Sequence, residues 1–274
     1  MLAGGMLARM TSALEELATV PMADRDKSWM YRLAGLPAAL ARAGQPPPSP
    51  GDHDAVIMAT AAVQPRLFDD QGRLIGQAIA RAREADDHAL ADRYLQIAMS
   101  VVAARLGGMA MPADLRAMAL LDWGPPPHLW QILERTVTDN GDPGSVNDGA
   151  AGVADRELLR HSAMVASGAQ VSSIGYWLHP DEPAREFTPI IEIGDDPWEW
   201  RILATGCTLV EAMIWHFCRR DDEYDDVMFE EYAEPLRSHG VPVVRRGDPL
   251  GVVSVDPYDL WEQTYEAALK NSPE

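Results

Sequence analysis

The chain has 274 residues, 47% of them hydrophobic, and carries 23 Lys+Arg against 42 Asp+Glu, a formal net charge of -19. That length exceeds the usual domain size of about 100 to 200 residues and implies two domains, the apolar share excludes wholesale disorder, and no run of about 18 apolar residues is present to span a membrane. The charge is unevenly divided: residues 1–110 hold 11 Lys+Arg and 12 Asp+Glu, a balance of -1, whereas 111–274 hold 12 and 30, a balance of -18. A domain that acidic repels nucleic acid and anionic membrane and attracts basic partners, although acidic surface also serves plain solubility.

In the opening MLAGGMLARMTSALEELATV, Arg9 and then Glu15-Glu16 interrupt the apolar start. That spoils a secretory h-region, so a cytoplasmic protein is expected. Alanine and leucine at helical spacing predict helices over 11–20 and 28–43, and the proline-rich block QPPPSPGD at 45–52 predicts a connector. A further helix is expected from Leu74 to Arg83. Leu90, Tyr94, Ile97, Ala98, Val101 and Val102 mark the buried face of another over 88–106, which Gly107-Gly108 ends. With Asp86-Asp87 between them, the pair reads as a helical hairpin resembling one unit of an α-solenoid, without a second copy to make a repeat.

A break at WGPPPH (123–128) precedes the helix-like LWQILERTV and the loop-like NGDPGSVNDGAAG, whose glycines follow no phosphate-cradle spacing. Beyond it, ADRELLRHSAMVAS predicts a helix, and VSSIGYWLH, FTPIIEIG and WEWRILATG predict three strands, punctuated by Gly194 and Pro197. Thr208 and Glu211 stand three apart in T-L-V-E, a capping box that opens a helix burying Leu209, Met213, Ile214 and Phe217, with Arg219-Arg220 at its C-terminal end. The tail predicts a β-β-α unit. VPVV (241–244) and LGVVSV (250–255) flank a turn, and Asp256-Pro257 opens a last helix with an apolar stripe of Tyr258, Trp261, Tyr265 and Leu269.

No motif names a reaction. Seven histidines are scattered and neither H-E-x-x-H nor C-x-x-C occurs. Cys207, Glu211 and Cys218 can share one helix face, but His216 lies about 140° round from Glu211 at 100° per residue, so no metal or other cofactor is expected. Two cysteines are too few for a disulfide framework and read as reduced core residues. Cys207 at a helix start sits where a thiol can be activated, yet Ala204, Thr205 and Gly206 supply no base. The acidic runs Asp195-Asp196 and Asp221-Asp222-Glu223-Tyr224-Asp225-Asp226 admit two readings, a solvated face or a docking surface for a basic protein. Trp198 beside the first run and Tyr224 inside the second are candidate aromatic anchors. With period-two alternation Trp198 and Trp200 share a strand face, which leaves a core role for both equally open.

The order GYWLHPDE, TPIIEIGDD, WEWRILATG and then the capped helix TLVEAMIWHF, with PPPHLWQILERTVTDNG upstream ending at Asn140-Gly141, resembles the SUKH superfamily, many of whose members are bacterial immunity proteins. The resemblance covers roughly 120–220. It implies an α+β fold without catalysis whose task is to bind and neutralise a toxin encoded nearby.

The sequence therefore predicts an α+β protein: a helical N-terminal region (1–110) followed by an acidic domain (111–274) built on a mostly antiparallel sheet with flanking helices. The expected function is a non-catalytic, immunity-type inhibitor of a basic toxin such as a nuclease, acting through Asp195, Asp196, Trp198 and 221–226. The competing readings are a carboxylate-dependent hydrolase or metal-assisted enzyme, and an adaptor joining two proteins through its helical part.

Overall fold

The computed structural model describes residues 13–68, 71–122, 135–136, 149–168, 173–194, 200–220, 223–224, 226–244 and 250–271. The chain divides into two compact units, Met1–Ala104 and Arg105–Glu274.

The first unit is helical: α1 (13–19), α2 (Lys27–Arg42), α3 (Pro50–Val63), α4 (Gly72–Glu84) and α5 (His88–Arg105). Helices α2 and α3 begin where side chains satisfy the free amides of their first turns. Asp26 Oδ1 accepts from Trp29 N at 2.8 Å, and Ser49 Oγ accepts from Asp52 N at 3.1 Å, with Pro50 at the first helical position. The connector is consequently shorter than the 45–52 expected, because Ser49 and Pro50 already open α3. Buried Arg25 donates to Ala18 O at 2.7 Å and Val20 O at 3.0 Å, so it closes the carbonyl end of α1, and it lies 4.6 Å above the Trp29 ring. Arg81 of α4 forks onto Asp54 of α3 at 2.8 and 2.5 Å. The hairpin of α4 and α5 turns at Asp86 in the left-handed region (φ 56°). There Asp86 N donates to Arg83 O and Asp87 N to Ala82 O, the two bonds of a Schellman end. On α5, Tyr94, Ala98, Val101 and Val102 are buried as the spacing predicts, whereas Leu90 and Ile97 are half-buried.

The second unit is α+β. In chain order it holds α6 (Ala113–Asp122), β1 (Arg135–Thr136), α7 (Gly149–Arg160), β2 (Ser162–Gly168), β3 (Ser173–Trp177), β4 (Ile190–Ile193), β5 (Arg201–Ala204) and α8 (Leu209–Cys218). The short strands β6 (Arg219–Arg220) and β7 (Glu223–Tyr224) and the helices α9 (Asp226–Ser238) and α10 (Pro257–Asn271) follow. The five-stranded sheet has the order β1-β2-β3-β4-β5 with every pairing antiparallel.

Met164, Trp177, Ile191, Ile193 and Trp200 cluster with Leu158 of α7, and Leu260 and Trp261 of α10 pack onto them. Ile174, Tyr176 and Ile190 alternate onto the opposite face and are buried as well. There α6 packs on α8, and α8 on β5. Two covered faces explain why β3 and β4 are buried at every position instead of at alternate ones.

Three sequence readings are corrected. The stretch ADRELLRHSAMVAS is not one helix: α7 ends at Arg160, and Ser162–Gly168 is a strand paired with β1 and β3. Its small residues favour a helix locally, but the ladders on both sides override that propensity. The segments 241–244 and 250–255 are not strands. Side chains, not a ladder, take their backbone groups: Glu211 accepts from Val244 N at 2.7 Å, Glu182 from Ser254 N and Val255 N at 2.5 and 2.9 Å, and Trp177 donates to Val255 O at 3.1 Å. The loop read over 140–152 ends earlier, because α7 already begins at Gly149; Arg219-Arg220 directly follow the C-terminal end of α8, as expected, and pair there as β6. The last helix is present as expected, capped by Asp256, which accepts from Tyr258 N at 2.9 Å. Its stripe is only half-buried and Leu269 is exposed. The WGPPPH break, the helix-like segment after it apart from Arg135-Thr136, which form β1, and residues 140–148 of the loop-like run lie outside the described residues.

Candidate functional site

Of the residues singled out for docking, Asp195, Asp196, Trp198, Asp221, Asp222 and Asp225 lie outside the described residues. Glu223 and Tyr224 form β7, in register with Arg220 and Arg219 respectively. Asp226 is the first residue of α9. The acidic run thus divides into a hairpin strand and a helix start, with two arginines on the facing strand. Trp200 is core, 5% exposed.

The acidic surface continues along α9, over a span where the sequence reading placed no element. Phe229, Ala233 and Leu236, at offsets of four and three, are buried and seat the helix. The opposite side carries Val227, Glu230, Glu231 and Glu234, all exposed. Arg237 donates to Glu230 at 2.6 Å and to Val243 O at 2.8 Å, with Glu234 at 4.0 Å, and so pins the extended segment ending at Val244 against the helix. The hydrogen bond to Glu230 holds Arg237 above the ordinary arginine value, and the charges of Glu230, Glu234 and Glu211 add to it. Val227 and Val244 remain 70% and 54% exposed. On α10, Asp259, Glu262 and Glu266 form a second acidic stripe at offsets of three and four.

The buried carboxylates belong to the framework. Glu211 closes the capping box, accepting from Thr208 N at 3.0 Å while Glu211 N donates to Thr208 Oγ1 at 3.4 Å, and its other oxygen takes Val244 N. Asp114 of α6 accepts from Val210 N at 3.0 Å, so its charge sits at the positive end of α8. Burial pushes the Asp114 carboxyl up, against the pull of its hydrogen bonds from Val210, Leu115 and Thr208. Glu192 accepts Arg201 at 2.8 Å, and Asp155 accepts from Trp261 Nε1 at 2.8 Å. Beside Asp114, the buried Tyr176 hydroxyl has no hydrogen-bond partner among the described residues, and desolvation drives its pKa up.

His161 and His179 approach with ring centroids 4.5 Å apart. Glu157 lies 3.1 Å from His161 Nε2, and Trp177 stacks on His179. Cys207 and Cys218 are buried and reduced, and the described His, Cys, Asp and Glu side chains form no group of three or more placed to hold a metal. Among the described residues no helix is long and apolar enough to cross a membrane. No family model, no curated protein and no solved structure matches the chain.

Proposed function

We propose that the chain is a cytoplasmic, non-catalytic immunity-type protein that binds and neutralises a basic toxin through the acidic surface of its second unit. The observation that carries this reading is a division of labour among carboxylates. Asp114, Glu192 and Glu211, all under a tenth exposed, hold helices and strands together, while Glu230, Glu231 and Glu234 of α9 and Asp259, Glu262 and Glu266 of α10 face solvent. Among the described residues, basic side chains of the unit are matched inside it in the pairs of Arg160 with Glu157, Arg185 with Glu182, Arg201 with Glu192, Arg237 with Glu230 and Lys270 with Glu266. The balance of -18 over 111–274 raises the encounter rate with a basic protein. Toxins that cut nucleic acid are commonly basic, and an acidic face occludes such a site by imitating phosphate charge. The resemblance to the SUKH superfamily over roughly 120–220 points the same way.

The test is capture of partners by the tagged full chain from its native lysate at low salt, release in steps of rising salt, and mass spectrometry of the eluate. One basic protein released by salt is the expected outcome. An eluate without a basic protein, from cells shown to express the neighbouring genes, contradicts the reading.

A further inference from the structure

We infer that His161 and His179 make the attachment of segment 252–255 acid-sensitive, so that protonation of the histidine pair loosens this strap from Trp177 and Glu182. Such a clasp acts whatever the chain binds. Side chains take the backbone groups of the strap. Glu182 accepts from Ser254 N and Val255 N at 2.5 and 2.9 Å, Arg185 donates to Val252 O at 2.8 Å, and Trp177 Nε1 donates to Val255 O at 3.1 Å.

His179 touches both main anchors. Glu182 N donates to His179 O at 3.0 Å and Asp181 N to His179 Nδ1 at 3.3 Å, which closes the turn that carries Glu182. The same ring stacks on Trp177, with centroids 5.8 Å apart and planes at 23°. An Nδ1 that accepts an amide carries no proton, so the strap is clasped while His179 is neutral. The His161 ring lies 4.5 Å from that of His179, and Leu178 N, donating to His161 O at 2.7 Å, holds the two segments side by side. His161 Nε2 donates to Glu157 at 3.1 Å, so a protonated His161 has a carboxylate beside it.

The other charged groups around the pair do not give His179 the same support. Arg160 shares Glu157 with His161, and Glu182 is engaged by the strap and by Arg185. Asp181 Oδ2 stands 3.9 Å from His179 Nδ1, but its side chain is 78% exposed and solvent screens it. The strap, Val-Val-Ser-Val, brings no charge, and Asp256 beyond it caps α10. As pH falls through the range where histidine titrates, a proton on His179 Nδ1 breaks the Asp181 bond and sets a second positive charge beside His161. The loosened strap takes that proton without either penalty, so acid favours it. Loosening uncovers the apolar face on which Val253 and Val255 pack, around Trp177 and Ile191.

The test follows amide exchange of the full chain by mass spectrometry at about pH 7.5 and about pH 5.5, either side of the histidine range, with each rate divided by that of an unstructured chain at the same pH. The wild type is compared with His179→Asn, whose oxygen keeps an acceptor for Asp181 N without titrating, with His161→Gln, and with His239→Gln as a control at the end of α9. Circular dichroism confirms that each variant is folded, and if His179→Asn is not, His161→Gln decides alone. In the wild type and the control, protection over 252–255 is expected to fall about tenfold or more between the two pH values while that of β3 and β4 holds. The fall is expected to shrink below about twofold in His179→Asn and to be reduced in His161→Gln. Protection that does not change with pH in the wild type overturns the inference. So does a fall shared by β3 and β4, or one that the histidine variants retain in full, which would assign the acid sensitivity to Glu182 instead.

Discussion

Gly175 sits in β3 where a Cβ would run into the carbonyl and backbone of Ala163 and Met164, beside the irregular register of β2. Backbone cannot yield as a flexible side chain can, so Gly175→Ala is expected to cost about 1–3 kcal/mol, measured by urea unfolding. A loss within error would mean that the two strands separate freely at this point. Asp86 is the converse case, a non-glycine residue at φ 56° with both bonds of its Schellman end made by backbone. Asp86→Gly is expected to hold or raise stability and Asp86→Val to lower it by about 1–2 kcal/mol, since a β-branched residue is strained there. Equal stability of the two variants would contradict that account of the turn. The buried Tyr176 hydroxyl makes no hydrogen bond to the described residues, so Tyr176→Phe should stabilise the fold by about 1 kcal/mol. A loss of that size instead would show that the hydroxyl is bonded in solution.

At the scale of elements, α8 is held at its start by two carboxylates with different consequences. Glu211→Ala strands the amides of Thr208 and Val244 and is expected to cost about 2–3 kcal/mol, with Glu211→Gln costing less. Asp114 shapes the acid dependence of stability. Burial holds its carboxyl above the ordinary 3.8, so the folded chain binds that proton more tightly than the unfolded chain does. Below 3.8 both states keep the proton and no penalty arises. As pH rises past that value the unfolded chain ionises first and stability falls, until the folded carboxyl ionises too and the penalty stops growing. Asp114→Asn keeps an oxygen for Val210 N and should remove this fall, visible as a shallower slope when urea unfolding is repeated at stepped pH. Identical slopes would contradict it.

What the sequence revealed at this scale depended on how local the cause was. The capping box of α8, strands β3 to β5 and the Asp256 cap of α10 are set by residues within a few positions of one another, and all were legible. β2 was not, because Ala163 to Ala166 are all apolar and buried at every position, which leaves no period. The tail segments have the valine content of strands, but the groups that satisfy them come from far along the chain: Glu182 lies 72 and 73 positions from Ser254 and Val255. Helix α9 did carry a signal in Phe229, Ala233 and Leu236. Pro235 within the helix and the acidic run in front of it masked that signal.

For the whole molecule, the segregation of charge was legible from composition alone, whereas the sorting of carboxylates into framework and surface was not. Glu211 and Glu231 are chemically alike in the sequence. Only the fold places one on the amides of Thr208 and Val244 and the other in solvent. Of the acidic run first read as a docking surface, the described part is Glu223 and Tyr224, paired in register with Arg220 and Arg219, and Asp226 at the start of α9, while exposed acid lies further on, along α9. The central claim is neutralisation, and the measurement that meets it most directly is growth of a host expressing the captured basic protein, with and without this chain. Arrest by that protein alone, relieved by co-expression of the wild type and less by Glu231→Lys/Glu234→Lys, is the expected result. A captured protein that is harmless alone, or arrest that the wild-type chain leaves unchanged, would contradict the account.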